Sequence, residues 1–122
     1  MIGGTLMNKR IVEKPWGHEE IWAETERYVG KILHINPGHR LSLQYHRVKM
    51  ETLYVLEGTL TVWNDDDDRS YVICGPGSVY HVNPGQVHRF GADETETKAI
   101  KVLEVSTPEI EDVVRLSDDY KR

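Results

Sequence analysis

Four side chains of this chain have types and spacing that could hold a metal ion. Gln44 and His46 stand two apart in GHRLSLQYHRVKMETLYVLEG, residues 38–58. On a β-strand, residues two apart point to the same face. Glu51 follows five residues after His46, enough for a short turn and the start of a return strand. His88 lies beyond a Pro/Gly-rich turn and can supply a fourth group. Two imidazoles, one carboxylate and one amide oxygen suit a borderline divalent metal, zinc first, with manganese, cobalt, nickel and iron as alternatives. Taken singly, each has an ordinary reading: a surface glutamine, packed histidines, a solvated glutamate. Their joint spacing favours the metal reading.

Strands are what could position these groups. Hydrophobic patterning and turn residues predict strands over 20–24, 28–35, 41–46, 52–56, 59–63, 70–73, 79–82, 87–90 and 99–105. Asn36-Pro37-Gly38, Gly75-Pro76-Gly77 and Asn83-Pro84-Gly85 punctuate them. Asn64 to Asp68 is an acidic run that reads as a solvated hairpin loop, since it lacks the alternate spacing and distal Glu of a calcium loop. Thr107-Pro108-Glu109 has the N-cap and first-position proline of a helix start, predicting a short C-terminal turn or helix before 113–116. Short, evenly spaced strands without a long helical period indicate an all-β sandwich or barrel.

The chain has 122 residues, enough for a single domain with its own core. We expect residues 1–10 to be a disordered leader and 11–122 to be that domain, opening on the Lys14-Pro15-Trp16-Gly17 turn. A net charge of −5 argues against nucleic acid as a partner. No apolar run reaches the ~20 residues of a membrane span, so no membrane partner is expected. The single cysteine, Cys74, excludes an internal disulfide and fits a reducing, cytoplasmic setting.

The order Gly38-x5-Gln44-x-His46-x4-Glu51-x6-Gly58 resembles the first motif of the cupin superfamily, with Gln where many cupins have the first His. Gly77-x5-Asn83-x-Gly85-x2-His88 resembles the second, with Asn83 in place of Pro and Ala92 where Asn is frequent. Neither departure removes a ligand. The resemblance implies a single double-stranded β-helix, a jelly-roll barrel, enclosing Gln44, His46, Glu51 and His88. A homodimer formed by pairing edge strands is expected with it.

A narrower resemblance extends over residues 14–122. Pro15-Trp16-Gly17, residues 40–46 (RLSLQYH) and residues 112–120 (DVVRLSDDY) are similar to the C-terminal isomerase domain of type II mannose-6-phosphate isomerases. The Ser-Leu-Gln-x-His string also resembles the zinc-binding strand of type I phosphomannose isomerases. This implies a metal-dependent aldose–ketose isomerase whose small-molecule substrate is a phosphosugar. A phosphate calls for cations, and Arg40, which shares parity with Gln44 and His46, and Lys31 on the preceding strand are the candidates. The proton-transfer base is not marked by the sequence; His81 and Glu57 are candidates. Competing readings are a non-catalytic metal- or carbohydrate-binding cupin and an iron-dependent dioxygenase.

Overall fold

The computed structural model describes residues 3–120. The first two residues of the expected leader, and Lys121 and Arg122, lie outside them. Eleven strands follow one another: β1 Arg10–Lys14, β2 Gly17–Glu24, β3 Val29–Ile35, β4 Leu43–Tyr45, β5 Glu51–Glu57, β6 Leu60–Trp63, β7 Tyr71–Cys74, β8 Val79–Val82, β9 Arg89–Ala92, β10 Ile100–Ser106 and β11 Val114–Ser117. They form a six-stranded sheet in the order β1-β2-β3-β10-β5-β8, a three-stranded sheet β7-β6-β9, and a pair β11-β4.

The period-2 alternation does what the sequence indicated. Along β5, Glu51, Leu53 and Val55 are buried, while Tyr54 and Leu56 are exposed. The register across β3, β10 and β5 stacks the inward residues in rows. Ile35 opposes Ile100, and Val102 lies between Leu33 and Val55. One step along, Glu104 lies between Lys31 and Leu53, and beyond it Ser106 pairs with Glu51. The inner face is therefore apolar at one end and charged at the other. The apolar rows pack on Trp16, Val62 and Phe90 to make the core. The charged rows face the functional site.

Two expectations about the fold are corrected. No sheet closes into a barrel: β1 and β8 are open edges of the large sheet, and β7 and β9 of the small one. Short loops such as Gly75-Pro76-Gly77 carry the chain from one sheet to the other, and isolated bridges, Arg40↔Gly91 and Gln44↔His88, with backbone bonds such as Leu41 N–H to Phe90 O, tie the β9 region to the segment around β4 without a continuous ladder. The cupin-like arrangement is all-β but open. There is also no C-terminal helix among the described residues. Residues 108–113 make tight turns, with Ile110 N–H donating to Pro108 O and Val113 N–H to Glu111 O. Such a short segment closes too few helical hydrogen bonds to offset nucleation, and the chain continues instead as β11 against β4. Strand β1 was not anticipated from the pattern.

Candidate metal centre

His46 lies just past the end of β4, Glu51 opens β5, and His88 immediately precedes β9. The turn before His88 is docked on the ligand strand, since Gly85 N–H donates to His46 O at 2.7 Å. Gly85 has φ +83°, a left-handed conformation that glycine adopts without a Cβ clash. Reciprocal backbone hydrogen bonds of 2.9 Å then join Gln44 and His88. Residues far apart in sequence are so delivered to one point.

All three side chains of the triad are buried, at 2% or less exposure. Glu51 Oε1 lies 3.4 Å from His46 Nε2 and 3.2 Å from His88 Nε2. These approaches lack hydrogen-bond geometry, and the three atoms have no hydrogen-bond partner among the described residues. The other nitrogen of each ring explains why. His46 Nδ1 donates to Asp112 O at 2.5 Å, and His88 Nδ1 donates to Gln86 O at 2.9 Å. A carbonyl can only accept, so each Nδ1 carries a proton, and a ring with that single proton turns an Nε2 lone pair inward. Two lone pairs and a carboxylate oxygen then face one another in a buried space, which is repulsive unless a positive charge lies between them. A divalent metal meets that requirement, and backbone carbonyls on the outer ring nitrogens are the usual support for histidine ligands. The grouping fits a divalent metal cofactor in general and does not select among metals.

Gln44 is half-buried and lines the same cavity as His46 and Glu51. Its Oε1 accepts the Ser42 hydroxyl at 2.7 Å, leaving one lone pair of the amide oxygen unused.

Lys49 and Glu104 were missed by the sequence reading. Lys49 Nζ lies 3.2 Å from Glu51 Oε2 and 3.4 Å from Glu104 Oε2, and both partners are buried. Burial pushes the Glu51 carboxyl up, and the Lys49 ammonium, 3.2 Å from its Oε2, pulls it down and favours the carboxylate. Burial lowers Lys49, yet Glu104 and Glu51 together raise it above the ordinary lysine value. Glu104 gives way: burial and then the charge on Glu51 push it up to about 7, against the pull of Lys49 and Lys31. The sequence carried no local signal for this pair, since Lys49 precedes β5 and Glu104 lies on β10.

An open cavity of about 210 Å³ adjoins the centre. Its buried end holds His46, Glu51, Lys49 and Glu104, with Trp16, Leu33 and Phe90 as apolar wall. Arg10, Lys14, Glu111 and Arg115 border its more exposed end. Lys31 lies in the cavity as expected from its strand, 3.2 Å from Glu19. Arg40 does not. It belongs to a different surface pocket with Trp63 and Tyr71, bound through Nε to Asp119 at 2.6 Å and through Nη1 to Asp68 at 2.9 Å. The parity argument failed because β4 begins only at Leu43, and Arg40 sits in an isolated bridge to Gly91 instead of on that strand. Asp68 is thereby drawn out of the acidic run into an ion pair. His81 bonds Thr52 and Asn83 away from the cavity, and Glu57 faces Lys98 and Lys101.

An open all-β fold carrying two histidines and a glutamate beside a charged cavity defines a metal-binding protein. This chain belongs to the cupin domain family, whose model matches residues 31–106. It is similar to mannose-1-phosphate guanylyltransferase of Escherichia coli (strain K12), 31% identical over 114 residues that make up 93% of this chain and 23% of that protein. It is 36% identical over 66 residues to quercetin 2,3-dioxygenase of Bacillus subtilis (strain 168), covering 54% of this chain and 19% of that one. The chain thus spans a quarter or less of these relatives. Among solved structures, the polyketide cyclase RemF from Streptomyces resistomycificus superposes with a TM-score of 0.74 at 18% identity, over 98% of this chain and 89% of that chain. No helix among the described residues is long and apolar enough to cross a membrane.

Proposed function

We propose that this chain is a metal-dependent enzyme acting on a small polar substrate, with aldose–ketose isomerisation of a sugar phosphate as its reaction. The observation that carries the metal-dependent reading is the convergence of three unpartnered, buried ligand atoms, from His46, Glu51 and His88, beside an open cavity. Support for the sugar phosphate comes from the relative named for mannose 1-phosphate, which aligns with 93% of this chain. The cavity lining is mixed in charge, and its cations, Arg10, Lys14, Lys31, Lys49 and Arg115, offer partners to a phosphate beside Glu19, Glu51, Glu104 and Glu111.

His46, Glu51 and His88 would hold the metal, with Gln44 as a fourth ligand. A bound divalent ion would supply Lewis-acid polarisation of a substrate oxygen. The chain's own residues do the rest. Isomerisation moves a proton between adjacent carbons, which calls for a group that both accepts and donates near neutral pH. Glu104, in the cavity and pushed up to about 7 by burial and by Glu51, suits that role at its carboxylate oxygens. Lys49 steadies both carboxylates. Lys31, paired with Glu19, would contribute to the polar wall that orients substrate hydroxyls. Trp16, Leu33 and Phe90 would exclude water from the inner end.

A second reading is favoured by the 36% identity to quercetin 2,3-dioxygenase. It makes the same ligand set an oxygen-dependent iron site. Reconstitution with zinc, manganese, cobalt, nickel and iron in turn decides between the two. Conversion of mannose 6-phosphate to fructose 6-phosphate by the zinc or cobalt form, without oxygen uptake, would support the isomerase. Oxygen uptake confined to the iron form would support the dioxygenase. Stoichiometric metal with neither activity would leave a binding cupin.

We also propose a homodimer paired through a sheet edge. The exposed Tyr71, Val72 and Ile73 on edge strand β7 support it, and sedimentation velocity tests it.

A further inference from the structure

The cations around the cavity are unequally matched. Lys31 faces Glu19, Lys49 faces Glu51 and Glu104, and Arg10 faces Glu24 at 3.1 Å. Lys14 and Arg115 also line the cavity but have no carboxylate within ion-pair distance among the described residues. They come from different strands. Lys14 is the last residue of β1, on the face that also turns Arg10 and Val12 to the cavity. Arg115 stands directly opposite Gln44 in the β11–β4 pair, so the two side chains share a face. Both cations are less buried than the triad, which puts them at the solvent side.

We propose that Lys14 and Arg115 form an anion subsite of this cavity and that the substrate carries a phosphate ester there. This rests on the reading of the cavity as the substrate site. An ammonium and a guanidinium together carry two positive charges, matching a phosphate monoester near its dianion at neutral pH. Arg115 can grip two phosphate oxygens at once, and Lys14 adds a point charge. The location explains how a substrate is oriented: its phosphate stays at the exposed end while the carbons to be isomerised reach the triad. Glu111, exposed and also on the cavity rim without an ion-pair partner among the described residues, opposes an anion and sets the limit on affinity.

Titration calorimetry of the zinc-loaded full chain tests this with inorganic phosphate, mannose 6-phosphate, mannose and gluconate. Lys14→Gln and Arg115→Gln, both at partly exposed positions, should each weaken mannose 6-phosphate binding roughly tenfold, and the double variant on the order of a hundredfold. Zinc content, melting temperature and mannose binding should stay at wild-type levels. Glu111→Gln should tighten mannose 6-phosphate binding, and the surface control Lys98→Gln should change nothing. Binding of mannose 6-phosphate to the double variant within twofold of wild type overturns the proposal, as does absence of binding to the wild type. Gluconate binding as tight as mannose 6-phosphate overturns the phosphate and leaves a carboxylate site. Anion binding that depends on Lys14 and Arg115 without isomerisation refutes the isomerase reading alone. Isomerisation that survives both substitutions with unchanged KM refutes the subsite alone.

Discussion

The backbone carbonyl of Asp112 accepts the Nδ1 proton of His46 at 2.5 Å. The carboxylate of the same residue accepts the backbone N–H groups of Arg47, Val48 and Lys49 at 3.1, 2.7 and 2.9 Å. One residue near the C-terminal end thus orients a histidine of the metal triad and fixes the turn that leads from it to Glu51.

Asp112→Ala keeps the carbonyl and removes the carboxylate, so it isolates the effect of the turn. Zinc affinity should fall about 10–100-fold, the range found when supports behind metal ligands are removed. Competition against a chromophoric chelator measures it. Affinity within twofold of wild type would show that the ligands hold their geometry without this support.

The same carboxylate gives a pH dependence of defined sign. Its pKa is held down to about 2 by the backbone N–H groups of Lys49, Val48 and Arg47. A folded-state value below the ordinary one favours the folded state above about 4, and that contribution is lost as pH falls towards 2. In urea denaturation of the metal-free protein, wild type should exceed Asp112→Asn in stability at pH 5, and the gap should close towards pH 2. A gap independent of pH would contradict the assignment.

The ligands should rank. His46→Ala and His88→Ala each leave two groups of the triad, and stoichiometric zinc should be lost in dialysed protein. Gln44→Ala removes an oxygen that already accepts from Ser42, so zinc should be retained with an affinity roughly tenfold weaker. Equal loss in all three variants would make Gln44 an equal partner. Full retention in Gln44→Ala would remove it from the ligand set.

Arg40 should behave as a structural residue. Its guanidinium joins Asp119 and Asp68 and lies 5.4 Å from the centre of the Trp63 ring, linking the C-terminal segment to the acidic loop. Arg40→Ala should cost about 1 kcal/mol of stability and leave zinc affinity unchanged. Thermal unfolding and metal titration together check this. A loss of mannose 6-phosphate binding without a loss of stability would restore Arg40 to the substrate site.

Gly17 is a test of backbone geometry. It has φ +151°, and a Cβ placed there would collide with the backbone oxygen of His34. Gly17→Ala should therefore cost more than the ~1 kcal/mol that alanine contributes at a compatible glycine, visible as a melting temperature lowered by several degrees.

The residue order by itself determined that this chain is a β-protein, and its spacing pointed to His46, Glu51 and His88, which the fold brings within reach of one another, with Gln44 beside them as a candidate. Alternation of apolar side chains is a local property of a strand, and turn residues are local too, so most strand positions could be read directly. The resemblance strengthened the pairing of His88 with the first three. Tertiary structure decided the rest. Whether strands close a barrel depends on which edges meet, and β1 and β8 do not. The segment after Pro108 could form a helix turn by its local signals, but pairing of β11 with β4 and the bonds of Asp112 to the 47–49 turn draw it into extended structure. Lys49 and Glu104 became visible as partners only when β10 was laid beside β5, 55 residues apart in sequence. Arg40 shows the converse: parity holds only within one continuous strand, and its side chain followed a bridge to Gly91 out of the cavity that Arg115 and Lys14, from strands at opposite ends of the chain, came to line.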